Sequence, residues 1–101
     1  MERLNRLVKL HFKPGKAEDF KKIFEYGQHV VAGSEGCHGV QLLQDRDEPD
    51  IAFTYSLWDS EEDLNRYRHS KAFREYWPKI KSLLADKAEV WNLSLMAEKK
   101  A

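Results

Sequence analysis

A cysteine beside a histidine is the first chemistry on offer. In "EGCHGVQLL", Glu35 to Leu43, Cys37 is the only cysteine and His38 one of four histidines, set between Gly36 and Gly39. Such a pair can be a thiol beside its base, half of a metal site, or the corner where a helix hands over to a strand. With no second cysteine, a CxxC couple, a disulfide and a thiolate metal site all fall away. The flanking glycines suit a tight turn, so Cys37 is expected as a small buried residue opening a strand. His38 and His69 both fall at element ends, where a pocket mouth can lie. Imidazole exchanges protons near neutrality, which makes either a candidate general base. His29 falls on a polar helix position, His11 shares a strand face with Lys9, and no histidine spacing converges on a metal.

Trp58 is the other residue that can meet a ligand. It can stack on an aromatic molecule or close the end of the core. Thr54 and Ser56 share its strand face, and their small size would leave room beneath the helices. Strand period alone leaves open which face of that strand meets the helices. Tyr67, Phe73, Tyr76 and Trp77 follow at helical spacing, as core residues or as the lining of a cavity.

These side chains need elements to position them. Leu4 to Phe12 alternates, with Val8, Leu10 and Phe12 on one side and Leu7, Lys9 and His11 on the other, a strand pattern ended by Pro14 and Gly15. From Lys16 the period becomes three and four through Ala17, Phe20, Ile23, Phe24, Gly27, Val30 and Val31, which predicts an amphipathic helix. Gly33 stands where a left-handed cap would end it. Val40 to Asp45 and Ile51 to Trp58 read as strands joined by the polar loop "DRDEPD". Ser60, followed by Asp63, caps a short acidic-fronted helix carrying Leu64 and Tyr67. Ser70 restarts a helix that buries Phe73, Trp77, Ile80 and Leu84, with Pro78 as a kink or a further restart. Ala88 to Met96 predicts the last strand, and "AEKKA" a frayed tail.

The order βαββαβ predicts an α+β class, a ferredoxin-like plait in which a four-stranded antiparallel sheet carries its helices on one face. The strands nevertheless hold bulk on both faces: Phe53, Tyr55 and Leu57 oppose Trp58, and Trp91, Leu93 and Leu95 oppose Val90 and Met96. A homodimer packed sheet to sheet would cover the second face, with His11 inside the resulting barrel. The chain has 101 residues, expected as one domain with a core over about residues 4–96, and 34% are charged with zero net charge. That balance lacks the basic footprint of a nucleic-acid binder. No run is apolar enough to cross a membrane and no export signal opens the chain, so a cytoplasmic protein is expected.

"LVKLHFKPGKAEDFKKIF", "EGCHGVQLLQD" and "FTYSLWDSEEDLNRYRHSKAF" together resemble the antibiotic biosynthesis monooxygenase domain of the dimeric α/β-barrel superfamily. The resemblance runs from Leu4 to about Leu95, with Trp58-Asp59-Ser60-Glu61 its most telling piece. It implies the same plait and sheet-to-sheet dimer, and a pocket between sheet and helices. It also implies oxidation of a phenol, quinol or anthrone by molecular oxygen without haem, flavin or metal; GxGxxG, HExxH and CxxCH are all absent from the sequence. Trp58 matches the pocket tryptophan of the anthrone-oxidising members. Thr54 stands where they carry asparagine, and Leu64 where they carry tyrosine. The site residues of haem-degrading relatives fall near Val8, Tyr67 and Trp77, without the ligating histidine, and a histidine of the quinol-type enzymes falls at Ala72. The catalytic candidates are therefore Trp58, Thr54, His38 and His69, with Val8, Ser56, Leu64, Tyr67, Phe73 and Trp77 against the substrate. A binding or stress-associated protein that keeps the fold without the oxygenase chemistry, and a proton-transfer isomerase, are the rival readings.

Overall fold

The computed structural model describes residues 3–100; Met1, Glu2 and Ala101, the ends of the expected domain and tail, lie outside the described residues. Its elements are β1 (Leu4–His11), α1 (Ala17–Ala32), β2 (Cys37–Gln44), β3 (Ile51–Trp58), α2 (Glu61–Arg68), α3 (Lys71–Lys81) and β4 (Glu89–Leu93). The antiparallel sheet has the order β2-β3-β1-β4, which is the ferredoxin-like plait expected from the element order.

The central ladder sets the faces. Arg6 pairs with Ser56, Val8 with Thr54 and Leu10 with Ala52, so these residues stand on one side of the pleat. Ala52, Ser56 and Trp58 are buried, which identifies this side as the one under the helices. Phe53, Tyr55 and Leu57 therefore face the open side, with Asn5, Leu7, Lys9 and His11 across from them. The buried residues fall into two clusters. Leu10, Phe12, Phe20, Phe24, Ala52 and Ile80 form one, and Val31, Trp58 and Leu64 the other.

Local chemistry accounts for the helices. Helix α1 buries Phe20, Phe24, Gly27 and Val31 along one stripe. At Gly27 a Cβ would lie 2.7 Å from the Tyr76 ring, so the missing side chain is what lets α3 approach. The Ser60 and Ser70 hydroxyls accept from the amides of Asp63 and Phe73, capping α2 and α3 as their spacing predicts.

Several boundaries differ from the sequence reading. Gly33 is right-handed (φ −85°, ψ −1°) because its amide still donates to the His29 carbonyl and continues the helix. The left-handed residue is Gly36 (φ +82°), where a Cβ would strike the Asp63 carboxylate. Val30 is exposed, one position off the buried stripe. Strand β2 begins at Cys37, opposite Trp58, and its register shifts before Val40, across Gly39 (φ +132°). Cys37 itself is half-buried. Helix α3 runs through Pro78 to Lys81 without a restart. Leu84 lies beyond it, bridged to Phe12. Strand β4 stops at Leu93, opposite Asn5, because β1 has only Leu4 left to pair.

Gly36→Ala is expected to cost about 1–3 kcal/mol through its left-handed backbone, and more because Asp63, the residue capped by Ser60, must move. Gly15→Ala, at φ +77° with nothing within 4 Å, carries the backbone cost alone. Denaturant midpoints of the two variants should differ, with Gly36→Ala the lower.

Candidate functional site

Between the covered face of the sheet and the three helices lies a cavity of about 850 Å³. Its volume is that of a small-molecule site, roughly 300–1,000 Å³. Strands β1 and β3 supply the floor with Val8, Leu10, Thr54 and Ser56, and Trp58 stands at one end. The helices supply Phe20, Phe24 and Leu64, and a run of aromatic rings.

Trp58 is 1% exposed and its indole Nε1–H donates to Ser56 Oγ at 2.9 Å. Its ring stacks on Tyr67 at 5.5 Å, Tyr67 meets Phe73 edge-on at 5.3 Å, and Phe73 stacks on Trp77 at 6.1 Å. These separations fall in the favourable range for aromatic pairs. The helical spacing of Tyr67, Phe73 and Trp77 thus converts into a continuous aromatic wall. Tyr76, beside it, also lines the cavity.

All six expected substrate-contacting residues, Val8, Ser56, Leu64, Tyr67, Phe73 and Trp77, face this space, as do Trp58 and Thr54. The two histidines do not. His38 Nε2 lies 2.5 Å from Asp59 Oδ1 at the surface, with Arg3 Nε 3.7 Å from the same oxygen. His69 follows the last residue of α2, and its Nδ1–H donates to the Asn65 carbonyl at 2.7 Å. Ala72 opens on a separate groove between α1 and α3, with Ile23, Val30 and Tyr76. Cys37 Sγ–H donates to the Gly39 carbonyl, and burial pushes its thiol up, away from the reactive thiolate form. Among the described residues no three His, Cys, Asp or Glu side chains are grouped to hold a metal ion.

The sequence reading missed the charged lining: Arg6, Arg68, Lys81, Lys87 and Asp86. Arg6 was visible in principle, since alternation places it on the same face as Val8 and Leu10, a cation in an apolar row. Asp86 comes from the irregular segment before β4, which no periodicity could place. It is held by His11 Nδ1 at 2.7 Å. Burial pushes the Tyr67 phenol well above its ordinary value and Tyr76 up to about 12. Both are therefore protonated at neutral pH and can donate hydrogen bonds into the cavity. The lining is mainly apolar, and the polar side chains within it are mostly donors and cations, suited to hold an anion or a polar aromatic edge.

Plait, covered cavity and aromatic wall define an α+β protein built around a small aromatic-lined chamber. A sequence model of antibiotic biosynthesis monooxygenase matches residues 4–79, and the chain belongs to that family. Among solved structures, it resembles a conserved protein from Methanosarcina mazei Go1 (TM-score 0.86, 22% identity, 92% of each chain covered). It also resembles PA3566 from Pseudomonas aeruginosa (TM-score 0.84, 20% identity, 96% of this chain and 97% of that one). A third, from Nitrosomonas europaea and provisionally assigned as an antibiotic biosynthesis monooxygenase, has TM-score 0.88 and 15% identity over 94% of this chain and 91% of that one. At these identities the likeness shows the fold. No curated protein matches the chain.

Because the folded phenols of Tyr67 and Tyr76 are raised, the stability they contribute is complete below the unfolded value of 10.0. It is lost as pH rises through the folded values. Stability should therefore fall from about pH 10 upward, and the Tyr67→Phe/Tyr76→Phe double variant should show a shallower fall in alkaline denaturation curves.

Proposed function

We propose that this chain is a cofactor-independent monooxygenase acting on an aromatic phenol, quinol or anthrone. The observation that carries the reading is the aromatic wall from Trp58 to Trp77 over a cavity with room for a fused-ring ligand. In such a reaction the substrate loses a proton and its electron-rich anion reduces oxygen directly. For an anthrone-type methylene the balance is simple: the carbon gives up both hydrogens and becomes a carbonyl. One atom of the oxygen molecule enters that carbonyl, and the other leaves with the two hydrogens as water. The protein's part is to exclude water and to stabilise the anion with preorganised donors. Tyr67, Tyr76, Thr54 and Arg6 are such donors around the cavity. The family to which the chain belongs supports the same chemistry.

Oxygen uptake by metal-free and flavin-free protein, with anthrones, naphthols and hydroquinones and with each substrate alone as control, tests the reading. Uptake above the control on one substrate class is expected. Thr54→Phe, which fills the floor between Val8 and Ser56, should lower kcat/KM at least tenfold with the fold retained. Tight binding without uptake would assign the chain instead to the ligand-binding rival.

The working unit in this proposal is a homodimer closed through the open sheet face. That face and its edges expose Leu43, Trp91 and Leu93 by 50%, 41% and 45%, a patch of the kind that marks an interface. Sedimentation should give twice the 11.9 kDa chain mass, and Trp91→Lys with Leu93→Glu should halve it. A monomer at micromolar wild-type concentration would refute the dimer.

A further inference from the structure

The cavity is not only aromatic; it is cationic, and among the described residues none of its lining cations makes an ion pair. Arg6 rises from β1 on the covered face of the sheet, between Leu4 and Val8, where its cross-strand neighbours are Ser56 and Asn92. Its one side-chain hydrogen bond is to the neutral Asn92 Oδ1, at a long 3.4 Å. Arg68, the last residue of α2, faces the same cavity from the solvent side. Among the described residues, the carboxylates that make ion pairs make them with other cations, and none lies within pairing distance of Arg6 or Arg68. Asp86, the carboxylate on the cavity wall, is taken by His11. Lys81 and Lys87 add two further positive charges at the wall.

A half-buried guanidinium without an acid is expensive in a fold that has no structural use for it. The cost is visible in Arg6 itself: burial first, and then the like charge of Arg68, hold it below its ordinary value. A bound anion would remove both penalties at once. Guanidinium groups also match planar oxyanions with paired donors.

We propose that Arg6 and Arg68 form an oxyanion-binding end of the aromatic cavity, so that the ligand is a planar aromatic bearing a negative charge. This rests on the aromatic-substrate reading above and narrows it to acidic arenes. The charge has two chemical sources, a carboxylate substituent or the ionised phenol itself. In either case the ring lies along the Tyr67–Phe73 wall while its oxygens meet Arg6 inside and Arg68 at the mouth.

Tryptophan quenching at pH 7 tests the idea with 2-naphthoate and its neutral isostere 2-naphthamide. The carboxylate is expected to bind about tenfold more tightly, the usual scale of a charge-assisted contact. Arg6→Gln should erase most of that preference, weakening the carboxylate far more than the amide. Arg6→Lys should keep part of it. Arg68→Gln, at an exposed helix end that tolerates substitution, should reduce it about threefold, and it serves as the test should Arg6→Gln fail to fold. A nitronaphthol, whose absorbance reports ionisation, distinguishes the phenolate source: on the wild type it should ionise about one pH unit below its value in water, and on Arg6→Gln most of that shift should be lost. Equal binding of naphthoate and amide, with unaltered ionisation of the nitronaphthol, overturns the oxyanion site while the aromatic cavity stands. A carboxylate preference that survives in both glutamine variants overturns it as well. If none of the three compounds binds, the aromatic-substrate reading itself fails and this inference falls with it.

Discussion

The indole of Trp58 holds the site together. It is a large ring at the end of β3, fully buried, with its one polar atom satisfied by a hydroxyl two residues back on the same strand face. A buried N–H left without an acceptor costs about 1–3 kcal/mol, so Ser56 fixes the rotamer of the ring as well as sharing its face. With the indole fixed, Tyr67 has a surface to stack on, Phe73 has an edge to meet, and α2 and α3 take their positions over the sheet. Losing such a ring from a core typically costs about 3–5 kcal/mol. Here it would also remove the end wall of the cavity.

Why the space beneath the helices stays open follows from residue size along the ladder. At the level of Trp58, Leu64 and Val31 the layers are filled, and at the level of Leu10, Phe20 and Ile80 they are filled again. Between them the floor is Val8 opposite Thr54 and Arg6 opposite Ser56. None of these puts a large apolar side chain straight up into the layer. The gap is thus built over Val8, Thr54 and Ser56, with Arg6 the one long side chain of the floor, between two packed clusters, and its lining chemistry is set by Arg6 and by what stands at its rims. Those rims are cationic and phenolic, while the histidine–carboxylate pairs, His38 with Asp59 and His11 with Asp86, lie outside the chamber or at its edge. The cavity thus carries an excess of hydrogen-bond donors, and its one lining carboxylate, Asp86, is engaged by His11.

Much of this was legible in the chain. Strand period gave Val8, Leu10, Thr54, Ser56 and Trp58 as members of coherent faces, helical spacing gave Tyr67, Phe73, Tyr76 and Trp77 as core or cavity lining, and Ser60 and Ser70 marked the caps. These signals are local: each depends on neighbours within one or two turns or a few strand residues. The misses are those where local and tertiary demands diverge. Gly33 has the right place for a left-handed cap, yet the chain reverses three residues later, where the closeness of Asp63 leaves room only for Gly36. Val30 has the right hydrophobicity for the stripe, but it lines the open groove between α1 and α3 and is left half exposed. His38 and His69 sit at element ends, as catalytic histidines often do, but an element end can point outward as easily as in.

By itself, then, the sequence determined the order of elements, which residues share a face of each, the family and the set of aromatic rings available to a site. These follow from periodicity, capping chemistry and extended similarity, all of which are properties of the chain read in order. Only the tertiary structure decided which face of β3 meets the helices, that the aromatic rings form one wall, and that Arg6 and Arg68, from a strand and a helix 62 positions apart, share one cavity. Those are facts of crossing and register. They depend on how the β1–β3 ladder and the α1–α3 approach at Gly27 bring remote segments together, and no window along the chain contains both sides of such a contact.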